Sequence, residues 1–299
     1  MIIPLFFALG AGALINLSLT PAAIRLAHRY GFLDRPGHRK IHDTPIPQLG
    51  GASLVLSVLL ALAVYFLLFR PSTYSIEDIK RLLFVLGVTV TLALVGFLDD
   101  RCDLKPFFKL FIQILTTGCF VFFGYRFELL HIPGFTPIAL SYLALPITAL
   151  WMAAVINGFN FMDGVDGLTG SVTAICLLGL GFISISANEP VFEALAFATL
   201  GAILAFLVFN WRPAKIYMGN CGTNALGGLV AAFLVSYHKD AAILTHANPL
   251  HPFQPFPFQL FVSTFLVGYP FMEAALSTFR RGIKRFLFNR SMEGAEKEH

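Results

Sequence analysis

Nine stretches of apolar sequence, each near the roughly 20 residues that carry a helix across a bilayer, leave this chain few folds to choose from. They lie at about Ile2–Thr20, Leu49–Phe69, Leu82–Leu98, Phe107–Phe123, Ile138–Ile156, Leu168–Ser186, Val191–Phe209, Ala225–Tyr237 and Phe256–Phe279. Lipid cannot satisfy backbone N–H and C=O groups, so such runs fold as helices that bond internally and pack on one another. With 57% hydrophobic and 13% charged residues and a mean hydropathy of +0.74, no soluble domain is in prospect. The expected fold class is an all-α integral membrane protein, a polytopic bundle of about nine spans over residues 1–279 with a basic tail at 280–299. The eighth run is short and the ninth long, so their edges are soft. No basic residue precedes the first run and no small-residue cleavage site follows it, so it reads as a retained span.

Lys and Arg set the orientation. Of the 21, sixteen fall in the loops reached after odd-numbered spans and in the tail, and five in the remaining loops. That asymmetry places the N-terminus outside and the first set in the cytoplasm, in an inner (plasma) membrane. Four unusual polar clusters then share the cytoplasmic face: Arg39–Gly51, Asp99–Arg101, Asn157–Gly170 and Met218–Asn224. Scattered structural polarity would not segregate this way, whereas one active site would.

The richest cluster is Asn157-Gly-Phe-Asn160-Phe-Met-Asp163-Gly-Val-Asp166-Gly-Leu-Thr-Gly170. Polar groups at every third residue stay near one edge of a helix or of a tighter three-per-turn coil. An acid near hydrocarbon costs about 2.5–3.5 kcal/mol, so two of them imply a use; the plainer alternative is a polar loop between two spans. Asp99 and Asp100 are adjacent carboxylates, whose repulsion a cation relieves. Magnesium favours carboxylates, phosphate oxygens and water, and phosphoryl transfer needs a metal, a base or positioner, and cationic clamps. An interfacial cap pairing with Arg101 or Lys105 is the structural alternative for this pair. The loop Arg35–Gly51 offers Arg39, Lys40 and His42 as phosphate donors, or serves only as a basic anchor. The turn Tyr217–Asn224 is by itself a weak signal.

The four cysteines form no C-x-x-C pair and are expected to stay reduced. His238, His246 and His251 lack metal-ligand spacing. The net charge of +4 follows from the topology signal and argues for no nucleic-acid role.

Taken together, RKIHDTPIPQLGG, GFLDDR, NGFNFMDGVDGLTG and MGNCGT resemble motifs of the polyprenyl-phosphate N-acetylhexosamine-1-phosphate transferases, the family that includes WecA, TagO and MraY. The resemblance runs from about Asp34 to the last residue, and Pro-Ile-Pro before Gly-Gly is more like the WecA/TagO branch. It implies transfer of a sugar phosphate from a UDP-N-acetylhexosamine to undecaprenyl phosphate, releasing UMP, for cell-envelope polysaccharide such as lipopolysaccharide or teichoic acid. It implies Mg2+ as cofactor and a bundle of roughly ten or eleven helices with a cytoplasmic active site. By this likeness Asp99 and Asp100 serve the lipid phosphate and metal, and Asp163 and Asp166, with Asn157 and Asn160, line the nucleotide-sugar and metal site. Lys40 and His42 contact phosphate. Asn220 stands where the family turn carries a metal-ligating Asp. The segment Arg290–His299 resembles the approach to a His-x-His-His motif, with His299 in its first position as a substrate contact. Both departures motivate a second expectation, a catalytically impaired member that binds lipid phosphate or pairs with an active partner. A third, an ion-coupled transporter, fits less well because the acids gather at one face and no inverted repeat is apparent. The donor sugar and oligomeric state are not read from the sequence, and a homodimer is kept among the expected partners.

Overall fold

The computed structural model describes residues 2–35, 44–69, 74–130, 138–244 and 267–280. The apolar runs fold as helices α1 (Ile2–Tyr30), α2 (Gly50–Leu68), α3 (Ile76–Cys102), α4 (Pro106–Phe122), α5 (Ala144–Met162), α6 (Leu168–Ala187), α7 (Pro190–Asn210) and α8 (Gly219–Leu244). A further helix, α9, spans residues 268–280. Two short antiparallel pairs join them, β1 (Leu33–Asp34) with β2 (Ile46–Pro47) and β3 (Leu129–Leu130) with β4 (Ile138–Ala139).

Six of the described helices are long and apolar enough to cross a membrane, against nine expected. α4 has only 17 residues, α8 opens with the polar Asn220, Thr223 and Asn224, and the first part of the ninth run, up to residue 266, falls outside the described residues. Boundaries also move. The fifth run was expected at Ile138–Ile156, yet its first residues pair as β4 and the helix continues to Met162. Asn157 and Asn160 therefore ride on the last turns of α5. α1 runs ten residues past its apolar stretch, to Tyr30.

Burial ranks the helices. In α7, 78% of the apolar window is buried inside the protein, against 22% for α1, so α7 is central and α1 lies at the outside of the described bundle. The two still touch closely: a methyl at Gly12 would strike the Ala198 carbonyl, and one at Gly201 the Leu9 carbonyl. Without a hydrophobic drive inside lipid, such backbone-to-backbone packing is a main source of helix association.

α3 carries charge at both ends. It begins with a capping box, the Ser75 hydroxyl accepting from the Asp78 N–H while the Asp78 side chain accepts from the Ser75 N–H. One turn on, Arg81 is 3% exposed and donates to Asp78 and to Glu189, the latter at 2.8 Å. Its guanidinium lies 5.1 Å from the Phe192 ring centroid. About 28 Å farther along the helix axis, near the thickness of a hydrocarbon core, α3 ends in Asp99, Asp100 and Arg101.

Candidate active site

A helix turns about 100° per residue, so these three neighbours point to three places. Asp99 is 4% exposed and accepts from the Lys109 ammonium at 2.8 Å and the Leu104 N–H at 3.0 Å. A buried carboxylate without such partners would cost several kcal/mol. Asp100 faces the start of α8, where it accepts from the N–H groups of Asn220 (2.9 Å) and Cys221 (3.0 Å). Gln48 adds a third donor at 3.2 Å. Asp100 thus caps a helix far away in sequence, satisfying two of the amides that a helix start leaves open. Arg101 turns the other way, its guanidinium 4.5 Å from the Phe32 ring centroid.

The chain around Gly50 and the turn before α8 are joined by backbone. Tyr217 N–H donates to Pro47 C=O (2.8 Å), Gly50 N–H to Tyr217 C=O (3.0 Å) and Gly51 N–H to Met218 C=O (2.9 Å). Side chains would keep these strands apart. A methyl at Gly51 would strike Gly222, and one at Gly96 of α3 would strike the Asn220 carbonyl. Gly219 has φ +68°, which L side chains rarely adopt, and a Cβ there would meet Asp100 Oδ2 at 2.6 Å.

α5 supplies the opposite wall. Asn157 donates to Gln113 of α4 (2.8 Å) and to Ala153 C=O (2.8 Å). Asn160 donates to Asn220 Oδ1 (2.6 Å) and Thr223 (3.1 Å). Asp163 ends the helix and accepts from Thr169 at 3.3 Å. Asp166 accepts from Ala214 N–H at 3.1 Å, and buried Asn210 braces the turn by accepting from Gly167 N–H and donating to Ile216 C=O.

Asp163, Asp166 and Asp100 lie close enough to repel. Surrounding protein raises the Asp163 carboxyl to about 8; the Thr169 hydroxyl opposes this, and the charges of Asp100 and Asp166 add to it. The Asp163 side chain itself meets solvent, which tempers the burial contribution. Tyr217 is raised as well, by burial and then by Asp166, Asp34 and Asp163. Among the described residues none of the three acids has a Lys, Arg or His ion pair, and no three acidic, His or Cys side chains converge on one point. The described residues therefore form no closed protein cage. Asp163 and Asp166 are the carboxylates among them that could serve a hard cation whose shell is completed by water and phosphate oxygens.

The structure thus brings together Asp100, Asp163, Asp166, Asn160 and Asn220. Asn157 sits one turn back along α5, against α4, and Asp99 faces Lys109. Arg39, Lys40, His42 and His299 lie outside the described residues. Sequence reasoning missed Gln48, Lys109, Gln113, Asn210 and Thr223. A lone amide inside an apolar run, as at Gln113, or just after one, as at Asn210, was the one available signal. Cys102, Cys119, Cys176 and Cys221 are all free thiols.

Comparison with known proteins fits this site into a wider group. A model described as glycosyl transferase family 4 matches residues 82–238, a span that holds all four predicted aspartates. The chain is 25% identical over 288 residues to a probable undecaprenyl-phosphate N-acetylglucosaminyl 1-phosphate transferase of Bacillus subtilis, covering 95% of this chain and 72% of the relative. It is 30% identical over 242 residues to a phospho-N-acetylmuramoyl-pentapeptide-transferase of Streptococcus sanguinis, covering 75% and 71%. A protein of that same description from Streptococcus pneumoniae is 30% identical over 256 residues, covering 80% and 76%.

Proposed function

The chain belongs to glycosyl transferase family 4 as an enzyme that transfers a phospho-sugar, and from that premise we propose that it moves an N-acetylhexosamine phosphate from a UDP-sugar to undecaprenyl phosphate, releasing UMP. The reading takes the protein as a multi-pass component of the inner membrane with its site toward the cytoplasm, where nucleotide sugars are made. The observation that carries it is the meeting of Asp100, Asp163 and Asp166 beside the amides of Asn160 and Asn220 at one end of the bundle.

Asp163 and Asp166 are the residues that would hold magnesium, with Asp100 behind them. When bound, the ion would neutralise charge on the diphosphate of the donor. The chain's own residues do the rest. Asn160 presents an amide to the site while Asn220 fixes its rotamer. Asp100 sets the start of α8 through two backbone N–H groups, so the turn from Met218 to Asn220 is held before substrate arrives. Lys109 locks Asp99, which in this reading positions α3 against α4. A second reading, a binding member of low turnover, is favoured by Asn220, a neutral amide whose oxygen is already engaged by Asn160.

Radiolabelled transfer from a panel of UDP-sugars to undecaprenyl phosphate in membranes tests the assignment. Label should enter lipid from a UDP-N-acetylhexosamine, with UMP released and the signal lost on chelation. Nucleotide-sugar binding without any transfer would favour the second reading, and neither binding nor transfer would dismiss both.

A further inference from the structure

A polar seam joins α1 to α2 at a distance from the acids. Asn16 and Thr20 stand about one turn apart on α1, as do Ser53 and Ser57 on α2. The helices run antiparallel, so that Asn16 meets Ser57 and Thr20 meets Ser53. All four side chains are buried. Asn16 lies inside the apolar run of α1 and Thr20 closes it, about 15 Å along the axis from the helix end at Tyr30. Amides and hydroxyls in such surroundings are costly unless each finds a partner. Leucine and valine would fill the same space without that demand.

The hydrogen bonds of the seam have a direction. Ser57 donates to Ser53 C=O at 2.6 Å, and Ser53 donates to Gly50 C=O at 2.8 Å. With their protons placed inside α2, the two serine oxygens meet α1 as acceptors. Ser57 accepts from Asn16 Nδ2 at 3.1 Å, and Ser53 lies 3.4 Å from the Thr20 hydroxyl. Thr20 donates to Asn16 Oδ1 at 3.0 Å, which fixes the way that amide points.

The last acceptor ties the seam to the site. Gly50 C=O and Gly51 N–H belong to one peptide plane. Ser53 holds its carbonyl, and its N–H donates to Met218 C=O at 2.9 Å. Two residues beyond Met218, Asn220 donates its N–H to Asp100 and accepts from Asn160. Bonds strung through one peptide strengthen each other where the dielectric is low. A plane free to tilt would carry Met218, and with it Asn220, out of register with α5.

We propose that Asn16 and Thr20 are positioning residues for the transfer reaction, acting through Ser57 and Ser53 on the Gly50–Gly51 peptide and so on the turn that presents Asn220. The role rests on the transferase reading for its ligand, a UDP-sugar, and backbone exchange tests it without that ligand. The full chain in detergent would be followed by calorimetric titration with UDP-N-acetylglucosamine and magnesium, by amide hydrogen exchange, and by thermal unfolding. Thr20→Val and Asn16→Leu should each weaken binding by about three- to tenfold, the size of one lost hydrogen bond inside a bundle. Exchange over residues 47–51 and 217–221 should quicken by a similar factor. The unfolding midpoint and exchange in α7 should stay put, because leucine keeps the packing and Thr20 can donate back to the backbone carbonyl of Asn16.

Thr20→Ser, which keeps the hydroxyl, should retain both binding and protection. Ser18→Ala removes an exposed hydroxyl that bonds only within α1, to Leu14 C=O, and should change neither. If Asn16→Leu does not fold, the two Thr20 variants decide the matter. Weakened binding that follows a lowered unfolding midpoint, or that appears equally in Thr20→Ser, makes the seam a brace and overturns the proposal. So does unchanged binding in Thr20→Val and Asn16→Leu. A parent that binds no UDP-sugar would count against the transferase reading. Exchange would then decide for the seam: a local rise in Thr20→Val that is absent in Thr20→Ser supports its hold on the turn before α8, and no such rise overturns it.

Discussion

The two ends of α3 hold their charges in opposite ways. At the start, Arg81 lies between Asp78 and Glu189, with Phe192 covering its face. Cation and anions meet there directly, and the cluster is closed. At the far end, Asp99 is closed in the same manner by Lys109, but Asp100, Asp163 and Asp166, among the described residues, are met by backbone N–H groups, amides and a hydroxyl and by no cation. Acids crowded without a cation keep an unspent attraction for one. Acids gathered at the two ends of α3 thus separate into a closed clasp and an open cluster, and among the described residues what separates them is whether a Lys or Arg stands beside them.

The largest expected effect breaks the reactive end. Asp163→Asn or Asp166→Asn should lower sugar transfer by on the order of a thousandfold, since each removes charge from a shared diphosphate centre. The double variant should be little worse than either single one, because groups acting as a unit fail together. Near-normal turnover in either single variant would end the contrast drawn here.

Next comes the clasp. Arg81→Ala strands Asp78 and Glu189, and removing one partner of a buried pair costs about 3–5 kcal/mol. The partial exposure of both acids, 21% and 18%, places the loss toward the lower end. Denaturant unfolding in detergent measures it, while the donor KM of the surviving folded protein should stay put. A shift in that KM would make the clasp part of the site.

Asn220→Asp sharpens the comparison by adding an anion where none is paired. Magnesium-dependent nucleotide-sugar binding, followed by calorimetry, should tighten about tenfold or more, which corresponds to ~1.4 kcal/mol. Without metal the variant should be less stable, because the new carboxylate faces Asp100. Unchanged magnesium affinity would leave Asn220 as a bridge alone.

The smallest effect is on pH. Asp163, raised to about 8, carries its proton in the folded protein where an unfolded chain has lost it. Its contribution to stability is therefore present at low pH and is lost as pH rises through about 8. Magnesium must displace that proton, so metal-dependent binding should strengthen from about pH 6 to 8 and then level off. Solvent contact at Asp163 keeps the slope shallow. Binding that weakens over this range would mean that the metal does not use Asp163.

Most of the helices were legible, because a run of 20 apolar residues has almost no other way to fold. The convergence of Asp163, Asp166, Asn160 and Asn220 was legible in outline from their spacing and from the loops that carry them. The parting of Asp99 from Asp100 was not. It depends on which helix packs against which side of α3, and α4 and α8 are far apart in the chain. Gln48 and Gln113 were hidden for the same reason, since an amide in sequence does not reveal its partner. The shift of α5 by six residues reflects a choice between water and protein: Asn157 and Asn160 would favour a loop if solvated, but Gln113 and Asn220 keep them in the helix.

The backbone ladder between Pro47–Gly51 and Tyr217–Met218 also sets a schedule. Its two sides are roughly 170 residues apart, on the order of 10–30 s of ribosome time at ~5–20 residues per second. During that interval the amides of Gly50 and Gly51 have no protein partner and must be kept by water at the membrane surface. Seven helices, α1 to α7, therefore precede the turn to which the Pro47–Gly51 segment is buttoned. A delay in inserting α7 would leave the early half waiting and open, and any quality-control protease at that surface would find it there.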